Sequence, residues 1–335
     1  MNMIRSFTLL FAMSLIFGCA SSEEPLDTSL YDGVPIDTLS LDEPPKTEKE
    51  AISRGDFALS SGNVDLALYE YIRSLAFENG QFRDRSLYNI GRIHQERGNR
   101  NLAERAFLLS VEANPNNIQS LEQLGIFYSR SGDTRLGESY FFKAINADQL
   151  RFGSKKTLSD EDLESADAIL KLKTDTSSPE YAYMGLGVLA DLDAKHDHAQ
   201  AYYQHALRIK PDSVKALTNS GYSYYMSGDY RQAQRLSLQA LEESPNDEKA
   251  LNNLALIYLA KGEIPRALNV FTRHMDKPEA LNNVGYFLIL QGKPNQAIPY
   301  LQQAIDSKPT YYKVANENLE RALAMVREEK VVVKE

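Results

Sequence analysis

Small, large apolar and turn-forming residues recur along this chain in a fixed order from Glu48 onward. Gly91, Gly125, Gly187, Gly221 and Gly285 mark equivalent points, and twelve residues after each stands Ala103, Gly137, Ala199, Ala233 or Ala297. Four residues further come Phe107, Phe141, Tyr203, Ser237 and Leu301, and eight beyond those stand Pro115, Gln149, Pro211, Pro245 and Pro309. Gly55 with Ala67 and Tyr71 begins the series, and Ala255 with Ala267 and Phe271 fits between the last two. Seven units result, with three of the six steps between them 34 residues long. Each unit predicts two antiparallel helices. A small residue in the first helix and Ala in the second let the pair approach closely. The aromatic fills the gap between neighbouring units. A second glycine (Gly62, Gly98, Gly132, Gly228, Gly262, Gly292) ends the first helix where the chain turns. Proline closes the unit because it cannot continue a helix.

Two steps depart from the period by more than two residues. Gly125 to Gly187 is 62 residues, so 28 are inserted, over residues 150–178. Within them Ser159 and Asp162 form a capping-box pattern ahead of Leu163, Ala166, Ile169, Leu170 and Leu172, which predicts one extra amphipathic helix. A Thr/Ser-rich link follows, through Thr174, Thr176, Ser177 and Ser178. The insert either hinges a three-repeat half against a four-repeat half or patches the joint; the reading favours the patch. Ala255 to Gly285 is only 30 residues, which predicts a trimmed helix ending near His274, Met275 and Asp276. After Pro309, a last helix from Tyr311 to about Glu329 would cap the open end.

The order of small residue, aromatic and proline resembles the tetratricopeptide repeat, whose period is 34. The fold expected is therefore all-α: a superhelical solenoid of seven helix pairs with one helical insert and a C-terminal capping helix. Repeats one to three span residues 48–149, repeats four to seven residues 179–310, and the cap and tail residues 311–335. In such repeats the first helix of each pair lines the concave face. The resemblance points Tyr181, Met184, Asn219, Tyr222, Tyr225, Asn253, Leu256, Asn283 and Tyr286 into that face as a peptide-binding groove. Asn219, Asn253 and Asn283 share one position, and carboxamides both donate and accept, which suits an extended peptide backbone. Asn is also common there whatever such repeats bind, and helical tyrosines usually pack, so a purely structural role stays open.

The N-terminus has a different pattern. Arg5 precedes an apolar run from Phe7 to Phe17, then Gly18 and Cys19, the only cysteine. Residues 1–18 have the layout of an export signal, too short to span a membrane at about 20 residues. Cys19 after Gly18 resembles the lipobox of bacterial lipoproteins; an ordinary signal with an incidental Cys is the alternative. The resemblance implies a diacylglycerol and an N-linked acyl chain on Cys19, and no other cofactor. Ala20 and Ser21 stand where an inner-membrane retention signal would place Asp, so outer-membrane anchoring on the periplasmic face is expected. Residues 19–47 are acidic, carry Pro25, Pro35, Pro44 and Pro45, show no period, and read as a disordered tether.

The net charge of −9 argues against a nucleic-acid partner. His196 and His198 lie two apart, poor spacing for ligands on a helix, and with His205 read as exposed surface residues. No phosphate loop, G-x-S-x-G elbow or cysteine nucleophile is present, so neither an enzyme nor a small-molecule substrate is expected.

Leu186-Gly187-Val188 with Asp191-Leu192, Ser227-Gly228-Asp229-Tyr230, Leu281-Asn282-Asn283-Val284-Gly285-Tyr286 and the ending Pro309-Thr310-Tyr311-Tyr312 resemble the TadD family. These are lipoproteins of the tight-adherence (Flp) pilus machinery. The likeness covers roughly residues 181–321; repeats one to three match only as generic repeats. It implies a pilotin-like scaffold that engages the pilus secretin or another assembly subunit. The alternatives are a periplasmic adaptor docking peptidoglycan hydrolases or synthases, and a pilotin for a type IV pilus.

Overall fold

The computed structural model describes residues 26–39 and 43–332. They form sixteen α-helices, with no β-strand among the described residues. The signal segment and Cys19 lie outside them.

The chain divides into two compact units, one ending at Gln81 and one beginning at Phe82. The first holds the first helix pair, α1 (Glu48–Ser60) and α2 (Val64–Ser74). Part of the segment expected to be a loose tether is folded here, which corrects the tether reading for residues 26–39. Leu30 is 4% exposed, and the Tyr31 ring meets Tyr69 of α2 edge-on at 6.2 Å between centroids. The physical reason is that one apolar residue and one aromatic suffice to pin a segment of turns and one 3-10 turn (Ile36–Thr38), even in an acidic stretch that lacks any helical period.

The second unit contains six further pairs: α3 (Arg83–Glu96) with α4 (Arg100–Ala113), α5 (Ile118–Ser131) with α6 (Thr134–Arg151), α8 (Glu180–Leu192) with α9 (His196–Ile209), α10 (Val214–Met226) with α11 (Tyr230–Glu243), α12 (Glu248–Ala260) with α13 (Ile264–Phe271), and α14 (Lys277–Leu290) with α15 (Pro294–Asp306). The short α7 (Ala166–Leu170) lies in the insert, and α16 (Lys313–Val332) packs on α14 and α15. Many helices begin with an Asn, Asp or Ser whose side chain accepts from a first-turn N–H, as Asn117 does from Ser120 and Asp229 from Gln232.

The repeat glycines act by contact. A Cβ at Gly91 would lie 2.6 Å from the Phe107 ring, and one at Gly187 2.5 Å from the Tyr203 ring. The aromatic thus presses on the glycine of its own repeat, and Phe107 also reaches Leu124 of the next. In repeat five, Ser237 replaces the ring, and a Cβ at Gly221 would meet nothing closer than 3.1 Å. At the turn between paired helices the glycines hold positive φ, such as 78° at Gly98. Repeat four has Ala194 at that point, with φ 57°, the only non-glycine residue with positive φ among the described residues.

α13 is the shortest second helix, ending at Phe271, three residues before the His274 expected to close it. The insert differs more. The capping box forms, but over a 3-10 turn (Asp160–Leu163), and Ser165 then caps the five-residue α7. One amphipathic helix was expected; two short pieces are found, because Ser165 is extended and breaks the run.

Candidate functional site

The joint between repeats three and four decides whether repeats four to seven act alone. Gln149 occupies the position held by proline in four other repeats, so α6 continues through it to Arg151. From this longer helix two carboxamides grip the insert backbone. Asn146 accepts from Leu158 N–H at 2.7 Å and donates to Leu158 O at 3.3 Å; Gln149 accepts from Lys173 N–H at 3.1 Å and donates to Lys173 O at 2.8 Å. Arg151 bridges the fully buried Asp148 and Asp175, and that guanidinium holds the Asp175 carboxyl down at about 2.

On the other side, α7 lies on α9. His205, read from sequence as exposed, is fully buried: Nε2 donates to Ile169 O at 2.8 Å and the imidazole stacks on Tyr183 at 4.9 Å. Burial depresses its pKa to about 4, so it is neutral at ordinary pH. The correction has a plain cause, since the insert covers a helix face that other repeats leave open. His196 pairs with Asp191 at 2.8 Å, and His198 meets Glu164 O at 2.9 Å. Among the described residues no group of three or more His, Cys, Asp or Glu is placed to hold a metal ion.

With the insert held to one side, α5 and α6 touch α8 directly. α8 has no side-chain cap of its own, and Glu122 of α5 supplies one, accepting from Tyr181 N–H at 2.8 Å and Ala182 N–H at 3.2 Å. Burial raises the Glu122 carboxyl to about 7, against those two N–H groups, and nearby Glu180 adds to the rise. The insert is therefore a patch beside a continuous stack.

The first helices α8, α10, α12 and α14 touch one another in that order, so equivalent positions form rows. One residue past the repeat glycine, the row is Val188, Tyr222, Leu256 and Tyr286; five past, it is Leu192, Met226, Ala260 and Leu290. These rows face solvent: Leu192 is 73% exposed, Leu290 53%, Met226 48% and Tyr222 42%. Covering such side chains would contribute on the order of 1 kcal/mol each. The rows are interrupted at repeat six, where Leu256 and Ala260 are half-buried, so the exposed members cluster on α8, α10 and the end of α14. The Tyr222 and Tyr225 rings lie 6.1 Å apart, and Tyr225 leads on to Tyr230 at 5.9 Å. Burial raises the Tyr225 hydroxyl pKa.

Of the nine groove residues expected, the structure brings Tyr222, Leu256 and Tyr286 into one row and leaves Tyr181 exposed beside it, its ring 5.8 Å from Lys215 Nζ. Met184 is core, 7% exposed, packed with Phe141 and Tyr183. Asn253 is 9% exposed, and its Nδ2 donates to Thr218 O at 3.0 Å, tying repeat six to repeat five. Asn283 Nδ2 points at Met275 Sδ, 3.3 Å away. Two of the three ladder carboxamides thus have partners inside the protein; for Asn253 the cause is that close stacking brings the Thr218 carbonyl of the neighbouring repeat within reach. Sequence reasoning missed Val188, Leu192, Met226 and Leu290. Their signal was available, as apolar residues repeating at one register of the first helix.

Residues 224–277 match one tetratricopeptide-repeat family model, and residues 84–117, 181–213 and 278–311 match another. No match is found among curated proteins. Solved structures similar to this chain include a tetratricopeptide repeat protein from Parabacteroides merdae, 18% identical over 82% of this chain and 98% of that one, with a TM-score of 0.46. PilF of Pseudomonas aeruginosa is 14% identical over 70% of this chain and 95% of that one, TM-score 0.45. YrrB, described as having an unusual peptide-binding site, is 17% identical over 64% and 98%, TM-score 0.45. At this level of likeness none of the three transfers a function or a site to this chain.

Proposed function

Taking the chain as an array of tetratricopeptide repeats, a protein–protein interaction scaffold, we propose that it is a lipid-anchored, pilotin-like assembly factor whose docking face is built by α8, α10, α12 and α14. The observation that carries the docking face is the pair of exposed apolar rows through Tyr222 and Met226. The anchor reading rests on Arg5, the apolar run to Phe17, and Gly18-Cys19. The TadD-like stretches between residues 181 and 321 support a tight-adherence pilus as the machine served, with its secretin as the first partner to test. In this reading acyl chains on Cys19 hold the protein at the outer membrane, facing the periplasm. Several chains make such anchoring effectively permanent, where a single one binds only marginally.

Affinity purification of the tagged, membrane-extracted protein, followed by mass spectrometry, tests both parts. The expected result is a secretin enriched with the wild-type chain and lost with the Tyr222→Ser/Met226→Ser double variant. Enrichment of peptidoglycan enzymes without a secretin would overturn the pilus assignment while leaving the docking face in place. Cys19→Ala is expected to keep the fold and to move protein and partner away from the outer membrane; unchanged secretin location would count against the anchor.

A further inference from the structure

The shape of partner that the face accepts depends on which hydrogen-bonding groups it leaves available. An extended peptide brings unpaired backbone N–H and C=O groups, and a surface that binds it must answer them. The side chains suited to that task are committed elsewhere: Asn253 to Thr218 O, Asn283 to Met275, and Asn282 to Asn318 at 2.9 Å. Of the ladder, only Asn219 makes no side-chain hydrogen bond within the protein. Besides Asn219 and the Tyr222 hydroxyl, what the face offers is apolar: Leu192, Met226 and Leu290 in one row, Val188, the Tyr222 ring and the half-buried Leu256 in the other. A segment that has already paired its own backbone, and presents apolar side chains at three- and four-residue spacing, needs nothing more than that.

Charge narrows the partner further. Lys215 and Lys249 stand at one register in repeats five and six, both exposed and neither in an ion pair. Lys215 has only the Tyr181 ring nearby. In the turns after α8 and α12, cations are already matched: Lys195 by Asp193 at 3.6 Å, Lys261 by Glu263 at 3.0 Å. The positive edge stops at repeat seven, where that register is Glu279, and Glu248 lies next in sequence to Lys249. Two unmatched lysines on the docking face of a chain with net charge −9 favour an acidic counterpart.

Resting on the docking reading above, we infer that the face takes an amphipathic α-helix, acidic along one polar edge, lying across α8, α10, α12 and α14. Packed helices sit about 8–10 Å apart, so four of them offer a track of roughly 30 Å, which about 20 helical residues cover.

The test is a display library of 20-residue peptides in four designs: amphipathic helices with acidic, basic or neutral edges, and proline-containing extended sequences of matched composition. Selection is run against the full-length protein, Met226→Asp, and the Lys215→Glu/Lys249→Glu double variant, each checked for an unchanged helical spectrum and melting profile. Acidic-edged helices are expected to dominate on the wild type, to bind about tenfold or more weakly to Met226→Asp, and to give way to basic-edged helices on the double variant. Enrichment of extended sequences that depend on Met226 would overturn the helix inference and leave the docking face standing. Enrichment of helices without edge preference would overturn the acidic assignment. If no design depends on Met226, the docking face itself falls.

Discussion

One residue past the repeat glycine, repeats two and three carry Arg92 and Ile126, whereas repeats four to seven carry Val188, Tyr222, Leu256 and Tyr286. Five past it, Glu96 and Arg130 stand against Leu192, Met226, Ala260 and Leu290. In repeat two, Arg92 and Glu96 pair with each other at 3.1 Å, both well exposed, an arrangement worth a few tenths of a kcal/mol. Beneath these surfaces the two regions are alike, with a glycine under a ring at Gly91–Phe107, Gly125–Phe141 and Gly187–Tyr203. The repeat pattern constrains what faces the partner helix. It leaves the outer positions of the first helix free, and there the two regions diverge.

The comparison is broken most directly by moving one surface onto the other. Tyr222→Arg with Met226→Glu places the repeat-two pair in repeat five. Partner capture is expected to fall by about tenfold or more, as for loss of central anchor residues. Stability should move by no more than about 0.5 kcal/mol, because both sites are solvent-facing. Pull-down yield and thermal melting read the two effects separately.

The shared interior is tested next. Gly91→Ala and Gly187→Ala are each expected to cost about 1–3 kcal/mol, since the added methyl meets a ring that is packed on its far side. Gly221→Ala, where the nearest atom is Ser237 Oγ at 3.1 Å rather than a ring, should cost less than either, with helix propensity offsetting part of the tight contact. Chemical denaturation of the three variants ranks them. Equal tolerance at Gly187 and Gly221 would refute the contact argument.

At the seam between the regions, two buried groups titrate with opposite sign. Glu122 is raised from 4.5 to about 7, so across that window the folded protein keeps a proton the unfolded chain has released. Its contribution to stability therefore declines as pH rises from 4.5 to 7. His205 is lowered from 6.5 to about 4, so the unfolded chain takes up a proton that the folded protein refuses. Its contribution declines as pH falls from 6.5 to 4. The two offset each other in the wild type. Glu122→Gln is expected to steepen the loss of melting temperature on acidification, and His205→Asn to reverse its direction. Melting curves at half-unit steps between pH 4.5 and 7 decide.

The smallest effect belongs to Ala194, held at φ 57° where six other repeats have glycine. Ala194→Gly should stabilise by about 1 kcal/mol by removing left-handed strain. A calorimetric scan resolves a shift of that size.

The helix pairs were legible because each depends on residue types at fixed spacing: glycine under a ring, alanine opposite, glycine at the turn, proline at the close. The insert was harder to read. Its capping box was visible at Ser159 and Asp162, but nothing in local sequence says that His205, far along the chain, would be sealed beneath Ile169. The proposed docking face was half visible. Tyr222, Leu256 and Tyr286 were found as members of a repeat position, whereas Asn253 was misjudged because a carboxamide looks available until the carbonyl of Thr218 is placed beside it. Leu192 and Met226 were overlooked because isolated surface apolar residues are ordinary, and only their alignment across stacked helices gives them meaning.

A one-dimensional array of repeats yields first at its weakest neighbouring contact. Because Gln149 lets α6 run on and the insert folds to the side, Glu122 reaches the first turn of α8 across 59 residues of sequence. Pulled from its two ends, such an array gives no early yield at the insert. The contact of α5 and α6 with α8 gives a load on the C-terminal repeats a direct path to α5 and α6 that bypasses the insert.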